Sequence, residues 1–214
     1  NTAPAGWSKN IFKISLYKLL LCFADDIMVN SMEFKKSLKK RFNINAKCIY
    51  NPFDKNFIKS NLKKREKIKF FQKNYLNLIS IGRLHDQKDH LTLLKSINLL
   101  EKDFKEKLII IGKGKEKKIL QNFILTNNLQ DRVRLFGYLK NPYNYLNNSD
   151  IVISTSKFEG LPNILLEAQY LKKYIISTNC ETGPKEILLN GEAGDLISIG
   201  DYKKLSFLIK NYHK

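Results

Sequence analysis

From Leu76 onward the chain alternates short runs of Ile, Leu and Val with longer stretches of helical period. Runs such as Leu108-Ile-Ile-Ile111 and Asp150-Ile-Val-Ile-Ser154 lack polar alternation, so they suit strands covered on both faces. Strands of that kind, separated by helices, dictate an α/β fold: a Rossmann-like, doubly wound parallel sheet. The pattern places strands at 76–81, 107–111, 132–136, 150–154 and 174–178. It places helices near 89–101, 115–127, 142–148, 162–172, 184–190 and 201–212. Glycines close several strands, at Gly82, Gly112 and Gly137. Ligands of such sheets bind beyond the carboxyl ends of the strands. The segments after residues 81 and 154 are therefore candidates for one shared crevice.

Before Leu76 the pattern changes. Residues 9–24 read as a basic amphipathic helix, 25–30 and 47–50 as short strands, and 31–42 as a helix capped by Ser31. From Phe53 to Lys73 the pattern dissolves into a lysine-rich connection. The expected organisation is a first piece at 1–52, a connection at 53–74 and a second domain at 75–214. Residues 1–74 carry 17 of the 38 Lys and Arg but 5 of the 20 Asp and Glu, within a net charge of +18. Such asymmetry suits a polyanionic partner such as anionic lipid, a phosphorylated acceptor or nucleic acid. A proteome-wide lysine bias accounts for it equally well.

Several classes are disfavoured. Cys22, Cys48 and Cys180 are scattered and odd in number, which argues against a disulfide framework or a metal cluster. Leu19-Leu-Leu-Cys-Phe-Ala24 is too short to span a bilayer. Gly112-Lys113-Gly114-Lys115 lacks the spacer and the Lys-Ser/Thr ending of a phosphate loop; a tight turn touching a ligand is the better reading. His85, His90 and His213 have neither metal nor triad spacing and read as surface or packing residues. Trp7 and the tyrosines lack the stacking pattern of RNA-binding modules.

The chemical signal concentrates between Glu159 and Glu167. Pro162 suits a first helical turn, so Glu159 falls in the loop before a helix and Glu167 inside it. The free N–H groups of Gly160, Leu161 and Asn163 then make an anion site at the helix start. Two carboxylates around such a site can hold hydroxyls on either side of a diphosphate, the geometry that a sugar-nucleotide needs. Gly82 permits a tight turn beside a ligand, and Arg83 and Lys88 flank the crevice mouth, where they can neutralise a diphosphate. Gly137-Tyr-Leu-Lys140 reads as a nucleobase contact or as a plain loop. Glu186 lies in a first helical turn, where capping suffices to explain it.

Taken together, Ser-Ile-Gly-Arg-Leu (80–84), Gln-Lys (87–88), Ile-Ile-Gly-Lys-Gly (110–114), Phe-Gly-Tyr (136–138), Glu-Gly-Leu-Pro (159–162), Leu-Leu-Glu-Ala (165–168) and Gly-Pro-Lys-Glu-Ile-Leu (183–188) resemble the retaining GT-B glycosyltransferases of family 4. The resemblance covers residues 75–200 closely. It makes 75–214 the donor-binding domain and 1–52 the remnant of a first Rossmann-like domain, most of which is expected to be missing. It implies that Arg83 and Lys88 hold the donor diphosphate and that Glu159, the catalytic position, lies against the transferred sugar. It also implies that Gly160, Leu161, Pro162 and Asn163 reach sugar or phosphate, that Glu167 accepts the ribose hydroxyls and that Leu139 faces the base. Neither metal nor cofactor is expected.

The resemblance further implies a UDP-hexose or UDP-N-acetylhexosamine donor and a lipid-linked or polysaccharide acceptor in cell-surface glycan synthesis. The expected location is cytoplasmic, at the inner face of the plasma membrane, with peripheral attachment to anionic lipid and no nucleic-acid partner. A chain so truncated is expected to be weakly active or inert. Two rivals remain: a non-catalytic basic module that binds membrane or nucleic acid, and a sugar-nucleotide epimerase of GT-B shape. The spacing of Glu159 and Glu167 speaks against the second.

Overall fold

The computed structural model describes residues 11–62 and 68–212. Trp7 and His213 lie outside them. The elements run in the order α1 (Ile11–Cys22), β1 (Met28–Val29), α2 (Met32–Phe42), β2 (Lys47–Cys48), α3 (Lys55–Asn61), β3 (Leu76–Ile81) and α4 (His90–Asn98). There follow β4 (Glu106–Ile111), α5 (Lys117–Thr126), β5 (Val133–Gly137), α6 (Tyr143–Asn148), β6 (Ile151–Ser154) and α7 (Asn163–Tyr170). The chain closes with β7 (Tyr174–Thr178), α8 (Pro184–Ile187), β8 (Asp195–Ile197) and α9 (Tyr202–Lys210). Six strands form one parallel sheet in the order β5-β4-β3-β6-β7-β8, and β1 pairs with β2 in a separate parallel pair. The α/β, doubly wound sheet expected from the sequence is the one observed.

The two faces of the sheet follow the period-2 rule. Leu78, Leu108, Ile110, Ile151, Ile153 and Ile176 face one way and pack on α4, α5 and α9 through Leu93, Ile97, Leu120, Leu205 and Ile209. Ile79, Ile109, Ile111, Val152 and Ile175 face the other way, onto α6, α7 and α8 through Leu146, Leu165, Ala168 and Ile187. Because both faces are covered, the central strands are apolar at most positions, as the Ile/Leu runs foretold; the exceptions in β3 are the buried Asn77 and Ser80.

Two elements escaped the sequence pattern. The lysine-rich stretch after Phe53 contains α3, capped by the Asp54 carboxylate, which accepts from the Asn56 and Phe57 amides at 2.9 Å each. Its Ile58 is buried in the same core as Tyr143 and Leu165, so one buried residue anchors a helix that is mostly polar. Strand β8 has three residues, too few for an alternation to register. Helix α1 also differs from expectation: its only charges are Lys13 and Lys18, so it is apolar nearly all round rather than amphipathic.

The N-terminal piece has a small core of Val29, Leu38, Phe42 and Ala46. It joins the main domain through two helix starts that cap each other. Glu186 of α8 accepts from the Met32 and Glu33 amides at 3.1 and 3.0 Å, and Glu33 of α2 accepts from the Gly183 amide at 2.9 Å. The sequence reading gave Glu186 to its own helix; the structure gives it to α2 instead. Each carboxylate faces a helix start where negative charge is favourable. Burial and the neighbouring Glu186 push the Glu33 carboxyl above its usual range, against the Gly183 hydrogen bond. Arg41 adds an ion pair to Glu181 at 2.7 Å.

At the amino end of the sheet, Glu106 is fully buried and paired with Arg132, whose side chain is 17% exposed. Burial raises the Glu106 carboxyl and Arg132 opposes that rise. Arg132→Ala leaves an unpaired buried charge, expected to cost roughly 3–5 kcal/mol near neutral pH. In the variant the carboxyl rises further, so the penalty is present above that raised value and fades as acid protonates it. Urea unfolding of both proteins at pH 7.5 and pH 5 checks this. A stability gap that does not narrow at pH 5 contradicts it.

Candidate active site

The winding of the sheet reverses between β3 and β6, which pair directly with Leu78 opposite Ile151 and Ile79 opposite Val152. At such a switch point the connections leave toward opposite faces of the sheet, and ligands bind beyond the strand ends, among the loops that follow the two strands. Here these loops are residues 82–89 and 155–162.

Main chain forms the floor. The Gly82 amide donates to the Ile111 carbonyl and the Leu84 amide to the Lys113 carbonyl, at 3.0 Å each. A Cβ at Gly112 would collide with the Gly82 carbonyl, and one at Gly114 with the Leu84 carbonyl. These glycines therefore let two loops pass backbone to backbone. Gly82 has its own reason: a Cβ there would press on the Lys88 side chain at 3.3 Å.

Lys88 crosses over Gly82 and forms an ion pair with Glu159. The pair is largely sequestered, with side-chain exposures of 18% and 8%. The same Glu159 oxygen, Oε1, accepts from the Ser156 hydroxyl at 2.6 Å. The Thr182 hydroxyl donates to the Glu159 carbonyl. Lys88 has three N–H donors and gives one to this pair, which leaves two for an anion. Arg83 is exposed at the rim, and its guanidinium donates to Gln87 Oε1 at 3.2 Å. Gln87 in turn donates to the Phe158 carbonyl at 2.9 Å, and the Thr155 hydroxyl bridges the Lys88 and Asp89 carbonyls at 3.0 and 2.9 Å. Arg83, Lys88, Gln87 and Glu159 thus belong to one bonded assembly.

Pro162 sits just before α7 rather than within its first turn, with extended backbone at φ −74°, ψ 99°. No side chain caps α7; its Leu165 amide bonds back to the Pro162 carbonyl at 3.0 Å, and the Asn163 and Ile164 amides are left to the crevice or to solvent. Leu161 is buried, Gly160 is half-buried and Asn163 is exposed. Glu167 lies one turn further along and is half-buried. The Tyr143 hydroxyl bonds to it, and the Tyr143 ring meets Phe57 edge-on at 6.1 Å. Burial raises the Glu167 carboxyl and the Tyr143 bond offsets part of the rise. Leu139, half-buried, packs at the margin of the core that holds Ile111 and Leu165.

Several residues of the assembly were not assigned from sequence. Ser156, Thr155 and Thr182 look like ordinary loop residues, because strand-end hydroxyls have no spacing rule. Tyr143 follows Asn141-Pro142 and gives no sign of a carboxylate partner 24 positions on. His90 is 1% exposed, and burial followed by the nearby Lys88 charge pushes its imidazole down to about 4. It is therefore a neutral core residue, in line with the packing role. His85 caps the turn before α4, accepting from the Gln87 amide at 3.2 Å. Surface hollows of about 370 and 400 Å³ lie elsewhere, beside Tyr75, Phe104 and Tyr212 or beside Phe71 and Asn77. Those flank the amino end of β3, the end that parallel sheets do not use for ligands. The candidate site is instead an open rim.

The sequence model of the family described as Glycosyl transferases group 1 matches residues 60–213. The chain is 36% identical over 210 residues to an uncharacterized glycosyltransferase of Methanocaldococcus jannaschii, covering 94% of this chain and 51% of that protein. Over 205 residues it is 30% identical to the N-acetylgalactosamine-N,N'-diacetylbacillosaminyl-diphospho-undecaprenol 4-alpha-N-acetylgalactosaminyltransferase of Campylobacter jejuni, covering 92% of this chain and 54% of that one. Among solved structures it is similar in fold to Anabaena HepE in complex with UDP-glucose, with a TM-score of 0.78 at 20% identity, over 93% of this chain and 57% of that one. The chain spans about half the length of the curated relatives it matches. With the match extending over most of its length, the chain belongs to the glycosyl transferases group 1 family.

Proposed function

We propose that this chain is the donor-binding part of a retaining glycosyltransferase of family 4 that uses a UDP-sugar, most simply a UDP-hexose or UDP-N-acetylhexosamine. The observation that carries the reading is the meeting of Lys88, Arg83 and the uncapped start of α7 at the β3–β6 switch point, with a carboxylate on either side. The cations and the helix start neutralise the diphosphate and its leaving-group charge, the task a metal performs elsewhere. No cofactor or metal is needed for this. Glu167, partly desolvated and oriented by Tyr143, accepts the ribose hydroxyls. Leu139 supplies an apolar edge to the base.

Glu159 lies against the transferred sugar. Its Oε1 is already engaged by Lys88 and Ser156, so it acts through charge and position rather than as a covalent nucleophile. As the donor leaves, the Lys88 ammonium sits between Glu159 and the departing phosphate and can follow the charge from one to the other. The relatives support the wider reading: one is named for transfer to a diphospho-undecaprenol glycan, and another for capsular polysaccharide biosynthesis in Staphylococcus aureus. Those names support a lipid-linked or polysaccharide acceptor, and the reading puts its transfer at the inner face of the membrane. The lysine-rich first 74 residues and the exposed Leu16, Leu19 and Leu20 of α1 fit attachment to an anionic surface. No described helix is long and apolar enough to cross a membrane.

A thermal-shift panel of UDP-glucose, UDP-N-acetylglucosamine, UDP-N-acetylgalactosamine, GDP-mannose and ADP-glucose tests the donor reading. At about 100 times Kd a ligand stabilises the fold by about 2.7 kcal/mol, or roughly 5–10 °C for a chain of this size. At least one UDP-sugar is expected to do so; no shift with any of the five sinks the proposal. Glu167→Ala is expected to weaken binding by roughly tenfold or more, through loss of a charged hydrogen bond.

Lys88→Ala both weakens binding and strands Glu159, at a cost of roughly 3–5 kcal/mol. The double variant Lys88→Met/Glu159→Gln is expected to regain stability without regaining affinity. Recovery of affinity in the double variant shows that Lys88 serves the fold alone.

A further inference from the structure

The loop from Glu159 to Asn163 is held from three sides. Lys88, Ser156 and Thr182 fix Glu159, as described above. Gly183, at φ +90°, lies so close beneath that a Cβ would collide with the Gly160 carbonyl and meet Pro162 Cδ at 2.7 Å. The third side belongs to the N-terminal piece. Asn51 Nδ2 donates to the Leu161 carbonyl at 3.3 Å and to Asn163 Oδ1 at 2.7 Å. Asn51 Oδ1 accepts from Asn30 Nδ2 at 3.3 Å. Asn30 itself lies over Gly160, where an added Cβ would meet its Oδ1 at 3.3 Å.

From this arrangement we infer that Asn51 is a positioning residue for the donor loop. It spans 110 residues of sequence to hold the loop that presents amides at the start of α7. An amide is the side chain that fits, because it supplies two N–H donors on one atom and an acceptor on the other. Both donors point into the loop and the acceptor points to Asn30. Aspartate has the same shape but no donor, and it sets an acceptor against the Leu161 carbonyl. Asn51 does not touch the donor in this scheme. It acts by keeping the Leu161–Asn163 main chain where phosphate and sugar arrive. The crossing between the two pieces is therefore part of the donor site, and the N-terminal piece contributes to donor affinity without contributing to the pocket wall.

This inference rests on the donor reading above, so the test separates the two. The full 214-residue chain and its Asn51→Ala and Asn51→Asp variants are titrated calorimetrically with the tightest nucleotide-sugar of the panel and with the matching nucleoside monophosphate. Both variants are expected to lose about tenfold in affinity for the nucleotide-sugar, the loss of a well-made hydrogen bond or two, and to bind the monophosphate as before. Equal losses for both ligands mean that Asn51 only supports the fold, and no loss means that it holds nothing of consequence; either overturns the inference. A wild-type chain that binds no nucleotide-sugar removes the donor reading, and hydrogen exchange of the unliganded proteins then decides the point. Faster exchange at the Leu165 amide, which bonds to the Pro162 carbonyl at 3.0 Å, in both variants, with Leu108–Ile111 unchanged, upholds the positioning role. Unchanged exchange at that amide overturns it.

Discussion

The pairing of β3 with β6 governs this molecule. The two strands are neighbours in the sheet but some 70 residues apart in sequence. Their junction is where the helical connections switch from one face to the other. Three contacts of the candidate site cross it: Lys88 to Glu159, Gln87 to the Phe158 carbonyl, Thr155 to the Lys88 carbonyl. If that pair slipped by one residue, all inward side chains would trade faces, and the two loops would no longer meet. The apolar runs of the strands are thus a condition of the chemistry as well as of the fold.

Much of this could be read from residue order, for a physical reason. A strand covered on both faces is apolar at most positions, and Leu108–Ile111 and Ile151–Ile153 announce that directly. Gly82, Arg83, Lys88, Glu159 and Glu167 sit at strand ends or helix starts, where position along the chain nearly dictates position in space. What sequence order hid was long-range and polar. Nothing near Glu186 hints that it caps a helix more than 150 residues earlier, and nothing near Asn51 hints at Leu161. A single hydrogen bond leaves no periodicity behind. Helix α3 was hidden for a related reason, since one buried isoleucine among lysines and asparagines makes no stripe. The paired glycines at 112 and 114 are ambiguous in sequence for a different reason. They resemble a ligand loop because ligand loops and loop–loop contacts both need a backbone without Cβ atoms.

The N-terminal piece is more than an appendage to the sheet. Its small core could not stand alone, yet it is tied to the main domain through the Glu33–Gly183 and Glu186–Met32 exchanges and through Arg41. These ties all reach the turn that begins α8 or the loop that begins α7. Asn51, at the end of that piece, is bonded to the Leu161 carbonyl and to Asn163 at the start of α7. A shift of the N-terminal piece against the sheet therefore cannot leave that loop undisturbed.

The main-chain floor of the crevice has a further meaning. The Gly82 and Leu84 amides and the Ile111 and Lys113 carbonyls form a main-chain platform whose hydrogen bonds do not depend on side-chain chemistry. Variety is confined to what stands around it, such as Arg83, Lys113 and Tyr138, where Lys113 lies over the Tyr138 ring at 5.4 Å. Substitutions at those surrounding groups change the chemistry of the rim and leave the main-chain contacts beneath it in place.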